Sequence, residues 1–183
     1  MMLKMTKKIT LFGISAVACV LSMSSCTSVG EHKTSAELYY TNITKADNEE
    51  LTFLRTVYKA ANDEVAFADI ISQRGTNAQI KSLAADLSAK YKAMQTKIEA
   101  VAKSEHVIIP NAAMPAFELP AGLDSAQSAV LEKAYLEQSV HNQETMVEQF
   151  EIAARNTRKV IQDYASEVLP SLDKNLEETK SLL

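Results

Sequence analysis

Apolar residues recur at spacings of three and four through most of the chain, the signature of helices that bury one face. The first such stripe opens at Asp47 and runs Leu51, Leu54, Tyr58, Ala61, Val65, Ala68. Gly75 is placed to stop it, as a glycine just past a last turn does. Thr76 to Gln79, "TNAQ", has the spacing of a capping box opening a second helix. The second stripe is Ile80, Leu83, Leu87, Tyr91, Met94, Ile98, Val101. After His106 the pattern changes. "VIIPNAAMPAFELPAG" carries Pro110, Pro115, Pro120 and Gly122, which deny continuous helix and favour an extended connection. Its apolar members Val107, Ile108, Ile109, Phe117 and Leu119 predict that it packs on the helices. A third helix is expected from Asp124, with Gln127 three residues on as a cap partner. Its stripe is Leu131, Tyr135, Ser139, Met146, Phe150, Ala153, flanked by Val140 and Val147. "RNT", Arg155 to Thr157, breaks it. A fourth follows with Ile161, Tyr164, Val168, Leu172, Leu176 and Leu183, and Pro170 inside it predicts a kink.

Four amphipathic helices of similar length can bury one another's stripes. Short turns join the first to the second and the third to the fourth, and a long crossover joins the two hairpins. The expected fold is therefore all-α: a four-helix bundle over residues 47–183, in the one-crossover arrangement of ferritin-like bundles.

The N-terminal pattern is different. Lys4, Lys7 and Lys8 precede an apolar run from Ile9 to Leu21, and no acid occurs before Glu31. Small residues follow, Ser22, Ser24 and Ser25. This order matches a secretory signal. The run of about 13 residues is short of the ~20 that a spanning helix needs, which counts against a retained anchor helix. "MSSC" resembles a bacterial lipobox, with Met23 where leucine is more usual. That resemblance implies cleavage between Ser25 and Cys26, a diacylglyceryl group on the Cys26 sulfur and acylation of the new amino terminus. "AVAC", ending at Cys19, is a second candidate, and an ordinary secretory site near the serines is a third. Residues 1–25 are thus expected to be a lipoprotein signal peptide. Residues 26–46 are expected to be a flexible tether, with one helical turn around Ala36–Tyr40 and Tyr39–Tyr40 solvated or docked on the domain.

Composition narrows the function classes. Loss of residues 1–25 removes three lysines and no acid, leaving 158 residues with 16 basic and 23 acidic side chains, a net charge of −7. That argues against a nucleic-acid partner and against holding anionic lipid through a basic patch. Both cysteines, Cys19 and Cys26, lie in the export region, so the bundle has neither a disulfide nor a catalytic thiol. The four glycines make no phosphate-cradling loop, and no H-E-x-x-H or nucleophile elbow occurs.

The residues 50–183 resemble the domain-of-unknown-function 4142 family of bacterial envelope proteins. The resemblance is carried by "FLRTVYKAANDEVAFADIISQRGTNAQIKSLA", "AYLEQSVHNQETMVEQFEIAA" and "ASEVLPSLDKNLEETKSLL", with Leu169, Pro170 and Leu172 among the more specific points. It implies a ferritin-like fold and an envelope location. The family pattern has a Glu on the first helix, Asp-His on the second and a His on each of the other two. Carried over, the Glu falls on Glu64, the Asp-His on Lys90 and Tyr91, and the two His on Gln143 and Asn175. Every histidine of that pattern is replaced. His141 is no substitute, because two residues are about 200° of helix away from Gln143. It lies instead with Glu137, Glu144 and Glu148, the pattern of a solvated acidic face. His106 falls in the crossover and His32 in the tether.

Glu64, Tyr91, Gln143 and Asn175 each fall on or beside an apolar stripe. They are expected to form a buried polar cluster in which phenol and amides supply donors to the carboxylate, with the Glu64 pKa raised if it is poorly satisfied. A tyrosine and two amides are poor transition-metal ligands, so no metal and no cofactor is expected. The leading expectation is a lipid-anchored, non-enzymatic envelope protein that binds or supports another component. A metal or redox protein with a degenerate site and a small-molecule binder beside Glu64 are the alternatives. The expected partners are a membrane, through Cys26, and an envelope protein. The expected location is the outer membrane, facing the periplasm.

Overall fold

The computed structural model describes residues 45–183. The signal segment, Cys19, Cys26, His32 and Tyr39–Tyr40 lie outside the described residues. Four helices make up the domain: α1 Asn48–Arg74, α2 Ala78–Ser104, α3 Ser128–Ala153 and α4 Lys159–Leu182. They form a four-helix bundle with a long crossover, residues 105–127, between α2 and α3. No strand occurs among the described residues. α1 packs against both α2 and α3, and α3 against α4, while α2 meets α4 over a smaller contact.

The predicted stripes lie largely inside, but Leu183, expected to end the fourth, is exposed at the chain end. Leu54, Ala61, Ala68, Leu87, Tyr91, Ile98, Leu131, Tyr135, Met146, Phe150, Ile161 and Leu172 are fully buried. Phe53 and Phe150 meet edge to face at 5.1 Å, and Phe67 and Tyr135 at 5.4 Å, which locks α1 to α3.

The helix ends differ from expectation in instructive ways. α1 carries the capping box: Asp47 Oδ1 accepts from the Glu50 amide, and Glu50 Oε2 accepts from the Asp47 amide, each at 2.9 Å. The box expected at Thr76 is displaced by one residue. Asn77 is the N-cap of α2, its Oδ1 accepting from the Gln79 and Ile80 amides at 2.9 and 3.3 Å. Thr76 is taken up otherwise, since its amide and that of Asn77 donate to Glu132 Oε1 of α3. Gly75 does end α1, but with φ −68° it is not there for a left-handed turn. A Cβ at this position would stand 2.7 Å from the Ile71 carbonyl oxygen and 3.1 Å from Glu132 Oε1. Close approach, not backbone sign, requires the glycine. α3 begins at Ser128, four residues later than expected, and its N-cap Gln127 makes no side-chain cap bond. The Arg74 guanidinium binds the carbonyls of Leu123 and Ala126 at 3.0 and 3.3 Å, and Ser128 Oγ donates to the Arg74 carbonyl at 2.9 Å, so the preceding turn is held across the bundle.

α2 closes on a left-handed residue that is not glycine. His106 has φ 59°, its amide donates to the Lys103 carbonyl, and the Val107 amide donates to the Ala102 carbonyl at 2.8 Å. This is a Schellman ending. Beyond it, Val107 is buried and Ile109, Phe117 and Leu119 pack on the core, with Phe117 5.6 Å from the Phe67 ring. Ile108 departs from expectation and is exposed. α4 continues as one helix through Pro170, which faces solvent. There the carbonyl that loses its donor lies at the exposed Ser166.

One end of the bundle is closed by Arg158, in the α3–α4 turn. Its Nε donates to Glu50 Oε1 at 2.7 Å, its Nη1 lies 3.1 Å from Glu105 Oε2, and its Nη2 donates to the Lys45 carbonyl. The Lys45 amide donates to the Glu105 carbonyl at 2.9 Å. The start of the described chain, the end of α2 and the start of α4 are thereby joined.

Candidate functional site

Midway along α1, Glu64 points into the bundle among Ala60, Ala61, Phe67 and Ala68 and is 1% exposed. A carboxylate removed from water this completely needs donors. α3 supplies them from one face, because Tyr135, Ser139, Asn142 and Gln143 stand at i, i+4, i+7 and i+8. The Tyr135 hydroxyl and Ser139 Oγ each donate to Glu64 Oε1 at 2.8 Å. Asn142 Nδ2 donates to Oε2 at 3.3 Å, and Gln138 Nε2 holds the Asn142 carboxamide at 3.0 Å.

A second layer runs to α4. Gln143 Nε2 donates to Ser139 Oγ and to Thr179 Oγ1, both at 2.8 Å. The Thr179 hydroxyl donates to the Asn175 carbonyl at 2.9 Å. Asn175 Oδ1 accepts from Lys90 Nζ of α2 at 2.8 Å, and Lys90 also pairs with Asp86 at 2.6 Å. The hydrogen-bonded network therefore extends from the surface between α2 and α4 to the carboxylate, with Gln143 donating toward both sides and Asn175 accepting from both.

All four residues singled out from the sequence, Glu64, Tyr91, Gln143 and Asn175, are buried. None of the other three bonds Glu64 directly. Gln143 is joined to it through Ser139. Asn175 lies two bonds further, beyond Thr179. Tyr91 is adjacent to Asn175, yet its hydroxyl meets no partner at hydrogen-bonding geometry, and neither does Gln143 Oε1. The direct donors Tyr135 and Ser139 were visible in the sequence only as members of the α3 stripe. Ser139, a polar residue on an otherwise apolar face, was the available signal for them. Asn142 carried no signal of its own.

Burial pushes the Glu64 carboxyl above its ordinary range. The bonds from Ser139, Tyr135 and Asn142 pull the other way without cancelling that rise, and the Asp63 charge adds to it. Burial, with the nearby Glu64 charge, likewise raises the Tyr91 and Tyr135 hydroxyls. At the far side of α1, Tyr58 is pushed up to about 12 by burial and by its bond to Glu99.

The ferritin-like pattern raises the question of a metal. The donor set here fits one poorly. One carboxylate stands among hydroxyls and carboxamides whose N–H and O–H groups already aim at its oxygens, and a metal ligand must offer lone pairs instead. Among the described residues no three His, Cys, Asp or Glu side chains gather as a coordinating group. His141 is exposed with Glu137, Glu144 and Glu148 on the solvent face of α3, where Glu137 pairs with Lys133 and Glu144 with Lys180.

Comparison with known proteins adds the following. A crystal structure of a DUF305 fragment from Deinococcus radiodurans superposes with a TM-score of 0.66 at 15% identity, covering 75% of this chain and 96% of that one. At that identity the likeness concerns the fold alone. No curated protein matches the chain. The model of the family described as "Domain of unknown function (DUF4142)" matches residues 37–182, and the chain belongs to that family.

Proposed function

We propose that the protein is a lipid-anchored component of the bacterial cell envelope that works by binding or supporting another envelope component, not by catalysis. The observation that carries this reading is the closed state of its polar core. Glu64 is the one fully buried carboxylate at mid-bundle, three donors are turned onto it, and the groups around it are hydroxyls and amides with raised or no titration. A general acid or base has to reach a substrate proton, and Glu64 is walled off from solvent by its own helices. Support for the anchor comes from the cationic start, the short apolar run and Cys26. No described helix is long and apolar enough to cross a membrane.

Titration of the purified mature domain with Zn(II) and Fe(II) separates this reading from a metal or redox role. Binding weaker than micromolar, unchanged in Glu64→Ala, is the expected result. Nanomolar binding that disappears in Glu64→Ala would overturn the proposal.

A further inference from the structure

The two ends of the bundle are not equivalent. At one end Arg158 gathers Lys45, Glu50 and Glu105, and the chain enters there. The same end exposes Ile108 just past α2, Ile152 in the last turn of α3 and Val160 in the first turn of α4, at 47%, 39% and 50%. Around them stand the exposed cations Lys103, Arg155 and Lys159, the last paired with Asp163, among the exposed acids Asp47, Glu49 and Glu151. Val130 and Leu183 are exposed at the opposite end, but the chain does not enter there.

Resting on the anchored reading above, we propose that the Arg158 end of the bundle lies against the lipid surface, with Ile108, Ile152 and Val160 in the headgroup boundary and Lys103, Arg155 and Lys159 toward the phosphates. Two observations combine. Eighteen residues, 27–44, separate Cys26 from Lys45, and they attach at this end. For the far end to touch the membrane, those residues have to bridge the length of the bundle, about 40 Å for helices of this size. For the near end they need bridge nothing. Second, apolar side chains flanked by Lys and Arg suit the boundary between acyl chains and headgroups. The clasp also has a use in this arrangement: it fixes the point of attachment to the face that meets the bilayer.

The test uses residues 26–183, in which Cys26 is the only thiol. Cys26 is coupled to a maleimide lipid in vesicles of phosphatidylethanolamine and phosphatidylglycerol, so attachment does not depend on cellular lipidation. A photo-crosslinking amino acid is placed at 108 or 160, and at 73 or 130 for the far end. Lipid adducts at 108 and 160 should exceed those at 73 and 130 by roughly tenfold or more. Equal yields at both ends would overturn the proposal. So would adducts from 108 and 160 to residues 36–43 of the same chain, or to a second copy, in place of lipid. The mass of Cys26 in protein taken from cells reports on anchoring separately, so failure of either idea is recognisable without the other.

Discussion

At the scale of single residues, Glu64 couples the core to pH. Its carboxyl is raised in the folded state, chiefly by burial. The neutral form is therefore the one the fold prefers. Its contribution to stability is full below the unfolded pKa of about 4.5 and is lost as pH rises through the folded value. Relative to Glu64→Gln, which does not titrate, the wild-type protein should gain stability as pH falls from neutral toward 4.5 in urea denaturation. A difference that is flat with pH would show that the three donors cancel burial, and one that grows in the opposite direction that they outweigh it. Glu64→Ala removes the acceptor for Tyr135 and Ser139 and leaves a cavity. It should cost roughly 2–4 kcal/mol, read from the same denaturation curves. His106 is the other residue with a specific cost. A non-glycine left-handed residue carries about 1 kcal/mol of strain, so His106→Gly should raise stability by a few tenths to about 1 kcal/mol. A loss would mean that the imidazole has a role beyond ending α2.

At the scale of elements, the contacts at the α1–α2 turn explain what patterning alone could not. The stripes that form the core were legible because each helix keeps its apolar spacing for several turns, from Leu51 to Ala68 and from Leu131 to Ala153. The ends were less so, since they are set by partners distant in sequence. Thr76 has good cap chemistry, but Glu132, 56 residues away, claims its amide and moves the cap to Asn77. Asp124 has cap chemistry too, but Arg74 holds the carbonyls of Leu123 and Ala126 on either side of it, and the helix waits until Ser128. The polar core shows the same division. Burial of Glu64, Tyr91, Gln143 and Asn175 followed from their stripes. The bonds did not, because a hydroxyl on an apolar stripe, as at Tyr135 or Ser139, reads as packing until its neighbour across the bundle is known. Gly75 offers the sharpest check at this scale. Gly75→Ala puts a methyl 2.7 Å from the Ile71 carbonyl oxygen. It should cost about 1–3 kcal/mol by overpacking. A neutral or stabilising effect in thermal unfolding would show that the turn shifts freely.

At the scale of the whole molecule, the bundle has a buried polar core at its middle and an ion-pair clasp at one end. These do different work. The core ties α1, α3 and α4 through one hydrogen-bonded network. The clasp joins the start of the described chain to α2 and α4. Replacing Arg158 with Met leaves Glu50 and Glu105, both nearly buried, without their shared cation. The Lys45 amide, bonded to the Glu105 carbonyl, should then exchange with deuterium faster, while amides at mid-bundle around Glu64 keep their protection. Uniform loss of protection would mean that the clasp supports the entire fold and not the attachment point. The domain so organised is proposed to be carried on lipid, and that claim rests on Cys26. The most direct test is mass spectrometry of the protein recovered from membranes, with and without Cys26→Ser. The account predicts a mature chain beginning at Cys26, carrying a diacylglyceryl group and an N-terminal acyl chain, and no lipid on the variant. A mature chain that begins elsewhere without lipid, or lipid that persists in Cys26→Ser, would contradict it.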